Sequence, residues 1–357
     1  MLDGLRGVAI TLVVLYHTFS LHGDVIPWAN SYHSFPIFKL GFLGVQLFFL
    51  ISGFVIYMSL ENSNSFKNFI YKRWLRLFPA MLIATIFIFI YSIFFIDTFP
   101  YPRLINVLPG LLFIEPTWLS FILGKETAPL EGCFWTLFVE FKFYFLFGIS
   151  YFYFREHAIN LLTALFIGAL ACEITRFFQL DYLIHNHAFN FFHNFIHFGW
   201  FVAGAWFYEA RKNQSQASYI MSALSAVLSC IYMGLYSFNM GYGSGFGVSI
   251  AALMVYLMFI FSFRISILNN ILSTKPFVFI GFISYPLYLF HENLMIKLTI
   301  YLHTTYPSIP DMLTPIMALS YIFLVAWIIA KYAEPSFRNT IKTFLAAPAI
   351  LAPMPRL

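Results

Sequence analysis

Charge is scarce in this sequence. Asp, Glu, Lys and Arg make up 10% of its 357 residues, against about 25% in a water-soluble domain, and that shortfall excludes an ordinary soluble globule. The net charge is only +5, and no nucleic-acid partner is expected. Cysteine is scarce too. Cys133, Cys172 and Cys230 form no CxxC pair and each falls in an apolar run, so they read as buried structural thiols rather than metal or redox sites. Several chemistries have no signature here: there is no Walker A loop, no GxSxG elbow, no HExxH and no H-x-x-x-x-D pair. No internal repeat and no inverted pair of broken spans is visible, which argues against a secondary transporter. His193 and His197 have helical i, i+4 spacing but no third ligand, so no metal is expected.

What fills the chain instead is hydrocarbon. Apolar residues reach 61%, aromatic residues 21% with 47 Phe, and the mean hydropathy is +0.79. The fold class is therefore an all-α polytopic membrane protein. Stretches long enough for a ~30 Å hydrocarbon core fall near 5–22, 37–60, 76–97, 131–154, 158–177, 190–208, 217–237, 246–264, 276–300 and 312–333, a bundle of about ten transmembrane helices. The apolar stretch 104–123 contains Pro109 and Pro116 and reads as re-entrant or interfacial, with an eleventh span as the alternative. With the N-terminus inside, the inner segments collect most of the basic residues, among them Arg6, Lys72, Arg73, Arg76, Arg211, Lys212, Lys331 and Arg338, so both termini are expected in the cytoplasm. Asp3 and Arg6 stand where a signal peptide needs its positive region, and no A-x-A site follows, so the first span reads as retained. The expected organisation is a transmembrane domain over 1–335 and a short cytoplasmic tail over 336–357, with the activity in the bundle and its loops.

Expensive residues then mark the site. Arg6 and His17 lie eleven residues apart in LDGLRGVAITLVVLYHTF, on one helical face to within about 20° and roughly 16 Å apart along the axis. Charged and titratable side chains on a hydrocarbon-embedded helix usually line a site or a water-filled path. His17 lies roughly 18 Å up a helix entering from the cytoplasm and Glu140 roughly 13 Å down a helix entering from outside, so both are expected in the outer half at similar depth. A carboxylate bonded to one imidazole nitrogen prepares the other as a general base. Lys72, Arg73 and Arg76 in FIYKRWLRLFPA stand at the mouth of the third span, where guanidinium forks and free helix N–H groups favour phosphate; anchoring to anionic lipid is the other reading. Ser284, Tyr288 and His291 share one face of the ninth span, with Glu292 next, and suit either interfacial anchoring or substrate binding. The outer loops 23–36 and 98–130 carry Trp28, Tyr32, His33, Tyr101 and Trp118, which suit sugar rings or an aromatic belt.

These segments carry a resemblance. LDGLRGVAITLVVLYH at the start, FFLISGFVIY at 48–57, KRWLRLFPA at 72–80, WTLFVEFKFYF at 135–145 and ISYPLYLFHE at 283–292 resemble, in order and spacing along nearly the whole chain, the acyltransferase-3 family of integral membrane O-acyltransferases. The resemblance implies transfer of an acyl group, commonly acetyl from acetyl-CoA, to a hydroxyl of a cell-surface glycan, a lipopolysaccharide O-antigen or a lipid-linked saccharide. It implies an inner (cytoplasmic) bacterial membrane. It matches Arg6 and His17 to the family's essential Arg/His pair and Arg73 and Arg76 to its R-x-x-R pair associated with the donor. Glu140 matches the acidic residue of W-x-L-x-x-E, and His291 closes S-Y-x-L-Y-x-x-H. Trp135, Tyr144, Ser284, Tyr288 and His291 are the candidate substrate-binding residues. Many members start a few residues earlier and many carry a C-terminal SGNH-type domain; a stand-alone form transferring directly within the bundle is expected here. The expected cofactor is acetyl-CoA or another acyl-CoA, with Lys72, Arg73 and Arg76 toward it, and no metal. His17 is expected either to deprotonate the acceptor or to carry the acyl group, with Glu140 orienting its ring. A transporter or acyl-group carrier that forms no covalent product is the alternative.

Overall fold

The computed structural model describes residues 1–21, 32, 34–94, 103–178, 192, 195–239 and 244–346, and among these there is no strand. The helices of six or more residues are α1 (Leu2–Phe19), α2 (Gly44–Glu61), α3 (Phe66–Phe94), α4 (Val107–Leu112), α5 (Pro116–Leu123), α6 (Trp135–Tyr153), α7 (Ala158–Phe177), α8 (Phe198–Asn213), α9 (Gln216–Asn239), α10 (Gly245–Ser262), α11 (Ser266–Leu272), α12 (Lys275–Phe290), α13 (Asn293–Thr305), α14 (Leu313–Ile328) and α15 (Glu334–Ala346). Among the described residues, eight helices are long and apolar enough to cross a membrane, or up to ten if each of two bent pairs counts as one span. The chain is an all-α, multi-pass membrane protein. Part of the expected span 190–208 lies outside the described residues, as do His193, Trp28, His33 and Tyr101.

The apolar stretch 104–123 folds as two short helices with a sharp bend between them, one of the two bent pairs that a broken span or a re-entrant loop would give. α4 and α5 meet at 119°. Phe113 adopts a left-handed conformation (φ 54°) that ends α4, and Pro116 starts α5. The turn is pinned by Glu115, whose Oε2 accepts from Lys142 Nζ of α6 at 2.5 Å. Lys142, inside α6, thus has both a carboxylate and the Trp118 ring 4.9 Å away.

Two boundaries differ from the sequence reading, and both matter for the site. α3 starts at Phe66, with the Ser65 hydroxyl accepting from the Asn68 N–H at 3.2 Å. Arg73 and Arg76 therefore stand two to three turns inside a helix, where the backbone N–H groups are committed, and not at its free N-terminus. The ninth span, read as continuous over 276–300, breaks at His291 and Glu292 between α12 and α13. A break inside a span exposes backbone groups and is tolerated where it lines a cavity or finds internal partners.

α1 is the post around which the site is built. It packs between α2 and α12, burying Leu5, Ala9, Ile10, Val13 and Val14. The approach to α12 is backbone to backbone: a Cβ on Gly281 would stand 1.8 Å from the Asp3 carbonyl oxygen. That closeness brings the polar stripe of α1, Arg6 at one end and His17 at the other, against α12 and the break at its C-terminal end.

Candidate active site

His17 lines a cavity of ≈ 490 Å³ together with Tyr16, Gln46, Gly132, Cys133, Trp135, His197, Tyr232, Tyr236, Tyr288 and Glu292. Its carboxylate neighbour is Glu292, with His17 Nδ1 3.8 Å from Glu292 Oε1. His291 lies behind, its ring edge-on to His17 at 4.6 Å between centroids. α12 ends at Phe290, which leaves its last carbonyls without helical partners. The His291 Nδ1 takes one of them, the Tyr288 carbonyl, at 2.7 Å. A carbonyl only accepts, so that nitrogen carries the proton and Nε2 keeps its lone pair. His291 is fully buried, and Nε2 has no hydrogen-bond partner among the described residues.

The helix break is held by a reciprocal exchange of carboxylates. Glu292, immediately before α13, accepts the Cys133 N–H on Oε2 at 2.5 Å at the entry to α6. Glu131, immediately before that entry, accepts the Asn293 N–H of α13 on Oε2 at 3.2 Å. Each helix start is thus capped by the glutamate preceding the other, and the free N–H groups there favour negative charge. Tyr288 ties in a third element, its hydroxyl donating to the Cys133 carbonyl at 3.0 Å and accepting from Thr136 Oγ1 at 2.8 Å. Gly132 sits where no side chain fits: a Cβ there would stand 2.7 Å from Glu292 Oε1.

A second, basic cavity of ≈ 80 Å³ lies at the other end of the α1 stripe. Arg6, Arg73 and Arg76 line it, with Ser52, Glu140, Tyr144 and Ser284. Glu140 is occupied there, accepting from Ser52 Oγ at 2.5 Å and from the Tyr144 hydroxyl. Arg6 pairs with Asp3 at 2.8 Å. Arg73 donates one Nη2 bond to Ser59 Oγ at 2.5 Å, while its Nε and Nη1 are buried with no hydrogen-bond partner among the described residues. Buried guanidinium donors without acceptors cost several kcal/mol in principle, and an anion removes that cost. Val45 and Tyr288 line both cavities, so the two chambers meet at that wall.

Residues 1–331 match the profile of an acyltransferase domain, that of the acyltransferase-3 family. The chain belongs to that family. Among its curated relatives, the peptidoglycan O-acetyltransferase OatA of Listeria monocytogenes is 26% identical over 376 residues, covering 95% of this chain and 55% of the relative. An O-acetyl transferase of Shigella phage Sf6 is 29% identical over 153 residues, 42% of this chain and 44% of the relative. The O-acetyltransferase OatA of Staphylococcus aureus is 26% identical over 183 residues, 47% of this chain and 28% of the relative. The chain spans about half the length of the first two relatives or less. No solved structure matches.

In this acyltransferase-3 chain the expected residues divide between the two cavities. His17, Trp135 and Tyr288 line the larger one, with His291 behind His17; Arg6, Arg73, Arg76, Glu140, Tyr144 and Ser284 line the smaller. The expected pairing of Glu140 with His17 does not form. Glu140 lies farther along α6 than Thr136 and Leu137, on the basic side of Tyr288, and Glu292 stands beside His17 instead. Lys72 is not brought to the arginines' cavity side: it stands on the exposed face of α3, donating to the Asn62 carbonyl at 3.2 Å. His197 packs against Trp135 at 4.9 Å, and among the described residues no group of three or more His, Cys, Asp or Glu is placed to hold a metal.

Sequence reading passed over Gln46 and assigned no role to Glu292. Gln46 is buried, lines the His17 cavity and leaves Oε1 without a partner among the described residues. The signal existed in both cases, an amide and a carboxylate inside runs read as spans. Gly132 gives a test that alters no reacting group. Gly132→Ala should push the Glu292 carboxylate off both His17 and the Cys133 N–H, lowering the family reaction by roughly 10- to 10²-fold and stability by about 1–3 kcal/mol; a wild-type rate in the folded variant would show that the Glu292 position is unimportant.

Proposed function

We propose that this protein is a membrane O-acetyltransferase that moves acetyl from cytoplasmic acetyl-CoA to a hydroxyl of a cell-surface glycan or lipid-linked saccharide. The observation that carries this reading is the meeting of the two cavities at Val45 and Tyr288, one basic and one holding His17 against Glu292. The family supports acyl transfer, and relatives named as O-acetyltransferases support acetyl. The basic end faces the cytoplasm in this reading, in accord with the positive-inside distribution, and both termini lie there. Arg73 and Arg76, with Arg6, neutralise the donor's pyrophosphate. The slender cavity takes the pantetheine arm, and Tyr144 and Glu140 line its path.

The acceptor enters the larger cavity, whose Tyr16, Trp135, Tyr232 and Tyr236 offer flat faces for a sugar and Gln46 an unsatisfied amide oxygen. His17 removes the proton of the acceptor hydroxyl as its oxygen attacks the thioester carbonyl. The C–S bond breaks, the CoA thiolate leaves and receives that proton from the imidazolium, and the ester remains on the acceptor. Glu292 stabilises the transient imidazolium.

Arg76→Met tests the donor assignment. Arg76 lines the basic cavity and shares the neighbouring cavity with Glu334, whose own partner is Arg338. Removal of the Arg76 guanidinium should raise KM for acetyl-CoA by roughly 10- to 100-fold, the worth of a hydrogen bond to a charged group, with kcat within about threefold, measured as free CoA thiol released. An unchanged KM would remove Arg76 from the donor site.

A further inference from the structure

Beside the slender cavity lies a roomier one, ≈ 650 Å³, walled by α1, α3, α12 and the turn joining α14 to α15. Resting on the acyl-CoA reading above, we propose that this chamber is the nucleotide subsite of the donor, with Lys275 and Arg338 holding the 3′-phosphate of CoA.

Size separates the two chambers. At ≈ 80 Å³ the slender cavity is well below the roughly 300–1,000 Å³ of sites that enclose a drug-sized ligand, so it admits a chain and not an adenine nucleotide. The roomier one falls inside that range. Arg6, Arg76, Ser284 and Tyr285 line both, so a molecule can lay its pyrophosphate on the two arginines with its arm in one chamber and its nucleotide in the other.

Charge points the same way. The roomier chamber is lined by Arg6, Arg76, Lys275 and Arg338 against Asp3 and Glu334. Both carboxylates are committed, Asp3 to Arg6 and Glu334 to Arg338. Lys275, exposed at the start of α12, has no ion pair with a described residue, and Arg338 Nε is buried without a hydrogen-bond partner among them. A point charge and a guanidinium fork together suit a phosphate dianion.

The backbone supplies the placement. Residues Ile329–Ala333 form a single π-helical turn between α14 and α15. Such a turn inserts an extra residue into the helical register, rotates the residues downstream of it and recurs at functional sites. Glu334, Pro335 and Arg338, all on the C-terminal side of the turn, line the chamber.

The shared chemistry is a phosphate group, which a lipid headgroup also offers, so the test separates the two. Binding of CoA and of 3′-dephospho-CoA is measured by calorimetry on the full chain in nanodiscs of phosphatidylcholine alone and of phosphatidylcholine with phosphatidylglycerol. The wild type should bind CoA at least tenfold more tightly in both lipids. Lys275→Met and Arg338→Met should each lose roughly fivefold or more for CoA and less than twofold for the dephospho form; Lys275 is exposed, so that variant reads the effect without a folding change. Equal affinity of the wild type for both ligands, equal losses for both in Lys275→Met, a dependence that appears only with anionic lipid, or no binding of either ligand would each overturn the subsite. Selective CoA binding without acetyl transfer would leave the subsite standing and refute the transferase reading.

Discussion

His17→Ala should lower acetyl transfer by on the order of 10²–10⁴-fold, the usual worth of a positioned general base. The variant should still insert and fold. His17 side-chain exposure is 12% and the residue borders an open chamber, so truncation enlarges existing space rather than opening a sealed core void. CoA binding should persist, because the arginines and the slender cavity lie on the other side of Tyr288. The check is initial transfer rate beside CoA affinity and the melting curve of the same preparation. Transfer within about threefold of wild type, with CoA bound, would exclude His17 as the base.

Glu292→Gln is expected to have the second largest effect, a loss of roughly 10²-fold in kcat with little change in KM for acetyl-CoA. The glutamine oxygen still accepts the Cys133 N–H, so the helix cap survives while the charge facing His17 is gone. Glu292→Ala loses the cap as well, and leaving that N–H unsatisfied costs about 1–3 kcal/mol of stability. A rate loss shared by both variants with a stability loss confined to Ala separates chemistry from folding. Glu140→Gln is the contrast. Glu140 is hydrogen-bonded to Ser52 and Tyr144 in the basic cavity, the proposed donor side, so its replacement should raise KM for acetyl-CoA before it lowers kcat. If Glu140→Gln lost kcat as Glu292→Gln does, the assignment of Glu292 as the partner of His17 would fail.

The exchange of those two glutamates shows where sequence reading stops. Apolar length and proline placement were enough to outline the spans and the bent segment 104–123, because each depends on contiguous residues. The Arg6–His17 stripe was legible for the same reason: helical periodicity is local. Depth along a helix was not enough to choose between Glu140 and Glu292. That choice depends on where α12 breaks, and the break is set by capping between residues 131–133 and 292–293, contacts 159 and 162 positions apart in the chain. Arg73 and Arg76 were found by type and spacing, yet their place inside α3 comes from Ser65, which starts the helix earlier than hydropathy suggests. Gln46 and Glu131 were hidden as isolated polar residues, whose meaning appears only when the cavity walls are assembled.

Two cavities meeting at one wall make sense if a single chain joins a donor on one face to an acceptor on the other through a covalent transfer. Purified protein is reconstituted in vesicles with isotopically labelled acetyl-CoA confined to the face bearing Arg73 and Arg76 and a saccharide acceptor confined to the opposite face, and the acceptor is analysed by mass spectrometry after mild alkali. Labelled acetyl ester should form on the saccharide, be released by alkali and be absent with His17→Ala. Label that reaches the far compartment with no ester formed, or ester formed equally by His17→Ala, would refute transfer across the bundle.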